Sequence, residues 1–91
     1  MDSIIQKKKE CYITHSTYNL HSHHIFEGRN RNNSEKYGLK VWLVPEWHNM
    51  SNKGVHFNKQ LDIELKQLAQ KKFIETYPDL DFINIFKINY L

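Results

Sequence analysis

Apolar residues recur at spacings of three and four through Phe57, Leu61, Leu65, Leu68, Ala69 and Phe73, as one buried face of a long helix requires. The whole stripe is expected to be core. Pro78 cannot supply the N–H that a helix interior needs, so it ends this element, and Leu80, Ile83 and Phe86 suggest a short final helix that closes the core. Upstream the period changes. Residues 18–26 partly alternate and suit a strand, while residues 39–44 are β-branched and aromatic and stop at Pro45. Between them, residues 27–34 have the Gly, Asn and Ser content of an exposed loop. The two strands therefore read as a β-hairpin with a long connection. Pro45 suits the first position of a helix, where its missing N–H has no partner to lose. A short helical turn through His48 follows, and Asn52-Lys53-Gly54 interrupts the chain before the long helix. The expected order is β, β, α, α, and the class is α+β.

A chain of 91 residues has the apolar surface for one core, so residues 1–91 are expected to form a single domain. Residues 1–10 read as a flexible basic N-terminal segment. Apolar residues at 40% and charged residues at 25% are the balance of a folded globular domain. No apolar run approaches the roughly 18 residues of a membrane span, and the start has no apolar secretory stretch. The expected address is the cytoplasm. Cys11 is the only cysteine, which excludes an internal disulfide and fits a reducing compartment. A formal charge of +3 and a pI near 9.0 are compatible with phosphate binding.

Histidine spacing carries the candidate chemistry. A divalent metal that activates phosphodiester cleavage needs neutral imidazoles or carboxylates on rigid elements, with coordination positions left open. His23 and His24 are adjacent, and neighbours on a strand point to opposite faces. One of them can be a ligand while the other serves as a base, a role suited to an imidazole that titrates near neutrality. His48 and His56 are eight residues apart, and on an unbroken helix they would be rotated apart by about 80°. The break at Gly54 lets the chain turn back so that both rings face the hairpin. His15 and His21 are read as ordinary surface or core residues, and Trp42 and Trp47 as core, although an exposed Trp could stack on a base.

Residues 20–26 (LHSHHIF), 38–49 (GLKVWLVPEWHN) and 54–57 (GVHF) resemble the small HNH proteins of phages and prophages. More loosely, they are similar to the phage recombination-enhancement nuclease family. The resemblance runs from about Cys11 to the C-terminus and implies a ββα-metal (His-Me finger) hairpin and helix core. It further implies a metal-dependent endonuclease acting on DNA in a bacterial host cell, with His23, His48 and His56 as metal ligands and His24 as the general base. The cofactor would be one divalent metal, magnesium or manganese, with zinc or nickel as other occupants. Lys7, Lys8, Lys9, Arg29, Arg31, Lys36 and Lys40 are the candidate phosphate contacts.

Two departures from the family pattern stand out. The positions of its structural zinc knuckle read Cys11, Thr14, Val44 and Trp47, and one thiolate cannot hold a tetrahedral zinc. No structural zinc is expected; an apolar cluster with Val44 and Trp47 takes its place. The position of the HNH asparagine falls near Leu39 or Lys40, which leaves His24 to a backbone carbonyl or to no orienting group. These losses favour a rival reading: the scaffold is kept by a phage protein of weak or no catalytic power that binds DNA or inhibits a host defence protein. A protein that merely binds zinc through its histidines is a third. The oligomeric state stays open, a homodimer being one possibility.

Overall fold

A computed structural model describes residues 2–51 and 53–91. Asn52, part of the expected interruption, lies outside the described residues. The fold is α+β. Among the described residues its elements run β1 (His21–His24), α1 (Arg31–Tyr37), β2 (Lys40–Leu43), α2 (Pro45–His48), α3 (Lys59–Thr76) and α4 (Phe82–Phe86), with 3-10 turns at Gly28–Asn30 and Val55–Phe57.

β1 and β2 pair antiparallel in the register His21↔Leu43, Ser22↔Trp42, His23↔Val41 and His24↔Lys40. Because side chains alternate along a strand, His21, His23, Val41 and Leu43 share one face. Ser22, His24, Lys40 and Trp42 share the other. Val41, Leu43 and His23 are buried, so the first face is the inner one.

The connection between the strands is not the exposed loop that its composition suggested. It contains the first 3-10 turn and α1, because its polar side chains find partners inside the protein instead of in water. Asn30 Nδ2 donates to the Phe86 carbonyl at 3.0 Å, and the buried Ser34 Oγ accepts from Phe26 N–H at 2.9 Å. α1 stops at Gly38, whose φ of 72° is the left-handed C-cap that glycine adopts without strain. A side-chain methyl at Gly38 would also collide with the Asp2 carbonyl oxygen.

That approach reflects a second departure. Of residues 1–10, expected as a flexible basic segment, Ser3, Ile4 and Gln6 bond to β2 and Gly38, while Lys7, Lys8 and Lys9 are exposed. Ile4 N–H donates to the Gly38 carbonyl at 2.9 Å, Ser3 Oγ to the Lys40 carbonyl at 2.5 Å, and Trp42 N–H to Gln6 Oε1 at 2.7 Å. Ile4 and Ile5 pack against the core.

α3 begins at its cap Asn58, which accepts from Leu61 N–H at 3.1 Å, and buries Leu65, Ala69, Gln70 and Phe73. Phe57, expected in the stripe, lies in the 3-10 turn before the helix and is 64% exposed. The break at Gly54 takes it out of helical phase. α4 is capped by Asp81 and buries Phe82 and Phe86. Leu80 and Ile83, expected as core, are exposed instead, since the helix starts two residues later than Leu80 and turns Phe82 inward. The core closes on aromatic contacts: Phe73 meets Tyr37, Tyr77, Phe82 and Phe86 at centroid distances of 5.2–5.7 Å. Cys11 is buried in this cluster, and Val44 and Trp47 pack against it. Val44 N–H and Thr14 N–H both reach Cys11 Sγ at 3.5 Å. Trp42, read as core, is only half-buried and sits on the outer sheet face.

Candidate metal centre

Three elements deliver the histidines. β1 turns His23 inward, α2 ends at His48, and the 3-10 turn after Gly54 carries His56. The convergence depends on Gly54. A methyl there would stand 2.7 Å from the His48 carbonyl oxygen, so only the smallest residue lets the Val55–Phe57 turn close on the end of α2.

The three rings then face one another. Centroid distances are 5.3 Å for His23–His48, 5.3 Å for His23–His56 and 4.7 Å for His48–His56. His48 Nε2 is 3.0 Å from His56 Nε2. One ligand nitrogen from each of the three rings lies within 4.8 Å of the others, so this group could hold a metal ion. Two imidazoles bound to one ion at ~2.1 Å place their nitrogens roughly 3.0–3.4 Å apart.

His23 supplies an independent reason to expect a cation. Its Nε2 is buried and has no hydrogen-bond partner, and a buried polar atom left unpaired costs ~1–3 kcal/mol. Burial, reinforced by the neighbouring His48 and His56, lowers the His23 pKa to about 3. Burial and the proximity of His56 and His21 lower that of His48 to about 4. Both rings are therefore neutral at physiological pH, the form that donates a lone pair to a metal.

The outward nitrogens of His48 and His56 are also engaged. His21 Nδ1 lies 3.0 Å from His48 Nδ1, and Glu27 Oε1 lies 3.4 Å from His56 Nδ1. With a proton on Nδ1 of each ring, His48 and His56 would aim both Nε2 lone pairs inward. Contacts of this kind fix the tautomer of a metal-bound imidazole. His21 was read as an ordinary residue, but its place two positions before His23 puts it on the same strand face. A second group, His23, Glu27 and Asp62, also brings ligand atoms within 4.8 Å of one another. There Asp62 is paired with Lys66 at 2.8 Å, which makes the three-histidine group the better cation site.

His24 points to the outer face, as alternation demands. Its Nε2 is 3.1 Å from Glu35 Oε1, and Glu35 Oε2 accepts from Lys40 Nζ at 2.8 Å. The Lys40 ammonium, with the His24 ring, holds the Glu35 carboxyl well below the usual carboxylate range. The orienting partner of His24 is thus a carboxylate from α1, not a backbone carbonyl. No local pattern marked Glu35, because its role depends on a helix that the composition of the segment concealed. His23, His24, His48 and His56, with Ser22, Glu27 and Arg31, line one cavity of about 220 Å³.

Of the other expected phosphate contacts, Arg31 alone reaches this cavity. Lys40 is committed to Glu35, and Lys7 and Lys9 line a separate groove with Trp42. Lys8 is exposed, Arg29 sits in the Gly28–Asn30 turn, and Lys36 lies over the Tyr37 ring at 5.3 Å. His15 is exposed, with Nδ1 3.4 Å from Glu10 Oε1. Among the described residues no helix is long and apolar enough to cross a membrane. No family of known proteins, no curated sequence and no solved structure matches the chain.

Proposed function

We propose that this protein is a metal-dependent endonuclease of the HNH (ββα-metal) type that hydrolyses phosphodiester bonds in DNA, with His23, His48 and His56 as metal ligands and His24 as the general base. The observation that carries the reading is the pairing of two arrangements on one strand. His23 carries a buried, unpartnered Nε2 and clusters with His48 and His56, while the next residue, His24, contacts a carboxylate and lines the same cavity.

The roles follow from those positions. A divalent ion, when bound, supplies positive charge to the scissile phosphate and to the leaving oxygen. His24 accepts the proton of the attacking water. Its Nε2 is occupied by Glu35, which leaves Nδ1 as the accepting atom. As the imidazolium forms, the ionised Glu35 stabilises it, the part that the aspartate plays in a serine hydrolase triad. Arg31, the cation that lines the cavity, is placed to hold a phosphate oxygen of the substrate. The Glu35 contact also offers His24 an orienting partner in place of the family's asparagine, one of the two losses that favoured a purely binding role.

Incubation with supercoiled plasmid and magnesium or manganese tests the proposal. The chain is expected to nick the plasmid only with metal, and His24→Ala or His48→Ala to abolish nicking. A folded protein that nicks nothing with any divalent metal overturns it.

A further inference from the structure

A groove of about 480 Å³ lies on the outer face of the sheet and is lined by none of the clustered histidines. Trp42 forms part of its floor, and Lys7, Lys9 and Asp2 contribute to its walls. The wall is fastened rather than loose, since Gln6 and Ser3 bond to the backbone of β2 on either side of Val41. Lys9 Nζ stands 4.7 Å from the centre of the Trp42 ring. That face of the indole is therefore covered by an exposed lysine and not by the core, so displacement of the Lys9 side chain would open it to a planar group arriving from solvent. Lys40, which also borders the groove, is engaged by Glu35, so Lys7 and Lys9 outweigh Asp2 as the charges facing a ligand.

The register ties this groove to the cleavage site. His24 pairs with Lys40 and Ser22 with Trp42, so Trp42 is the diagonal neighbour of His24 on the outer face, about 7–8 Å away. We infer that the groove of Trp42, Lys7 and Lys9 binds single-stranded DNA, with one base stacked on the Trp42 ring and the neighbouring phosphate directed toward His24. Within a duplex each base face is covered by its neighbours, whereas an unpaired base can stack on an aromatic ring beside a basic wall. Lys9 then moves from the ring face to the backbone of the strand. The inference rests on the nuclease reading and narrows it to substrates with an unpaired strand at the cut.

The test uses the full chain in a chelator, which prevents cleavage, with a labelled single-stranded oligonucleotide and a duplex of the same length. A Trp47→Phe background leaves Trp42 as the one indole. The single strand is expected to quench its fluorescence and to bind more tightly than the duplex. Trp42→Leu should weaken single-strand binding roughly tenfold or more, and Trp42→Phe, which keeps a ring, should retain most of it. Lys7→Ala with Lys9→Ala should flatten the salt dependence. Equal binding of strand and duplex, without quenching and without an effect of Trp42→Leu, overturns the inference while plasmid nicking leaves the nuclease reading intact. Failure of both nucleic acids to bind, in a protein that also nicks nothing, removes the two together.

Discussion

His21 Nδ1 stands 3.0 Å from His48 Nδ1, so the nitrogen of His48 that faces away from His56 is already engaged. A partner there holds the ring and keeps the other nitrogen, Nε2, directed toward His56, where the proposed ion would bind. His21→Ala is expected to weaken metal binding ~10–100-fold, the usual cost of losing such a support, with the fold retained. Competition against a chromophoric chelator measures this, and an unchanged affinity would deny His21 its role.

Gly54 makes the same point through the backbone. Its φ of −58° is open to any residue, so only space is at issue, and the His48 carbonyl oxygen 2.7 Å from a would-be methyl occupies that space. Gly54→Ala should push the Val55–Phe57 turn off α2 and separate His48 from His56. A loss of metal affinity of ~10–100-fold is expected, although neither ligand is altered. Binding as tight as in the natural chain would show that the turn has room to spare.

Glu35 should act on turnover without acting on the metal. Because it touches His24 and not the histidine cluster, Glu35→Ala is expected to slow nicking on the order of tenfold to hundredfold, less than the ~10²–10⁴-fold that the general base itself contributes. Metal affinity should stay as it was. A parallel fall in both quantities would mean that Glu35 supports the fold instead.

Acid should destabilise the metal-free protein through His23 and His48. Their pKa values are lowered from 6.5 to about 3 and about 4, so between those values and 6.5 the unfolded chain binds more protons than the native one. The stability linked to these rings is then fully present above pH 6.5 and is lost as pH falls toward 4 and 3. Melting temperatures in a chelator should decline over that window, and His23→Ala should flatten the decline. A melting temperature that is flat from pH 7 to 4 would contradict the burial argument.

Periodicity made much of the fold legible. The strand alternation around His23 and Val41 and the three-and-four spacing from Leu61 to Phe73 are each dictated by one buried face, and the structure has β1, β2 and α3 there. α1 was hidden because Asn30, Asn33 and Ser34 look like loop residues until their partners, the Phe86 and Ile85 carbonyls and the Phe26 N–H, are brought up by tertiary folding. Phe57 and Ile83 were misplaced for a related reason: a break or a cap shifts helical phase without changing composition. At the site, the doublet and the Gly54 break made the grouping of His23, His48 and His56 readable. His21 was readable too, from its two-residue spacing, whereas Glu35 was not, since its position is inherited from α1.

Titration of the metal-free protein with cobalt or zinc tests the central claim most directly. One ion should bind per chain; His23→Ala, His48→Ala and His56→Ala should each abolish or sharply weaken binding, and His15→Ala should leave it unchanged. Failure of the natural chain to bind an ion, or binding that survives His23→Ala undiminished, would contradict the account.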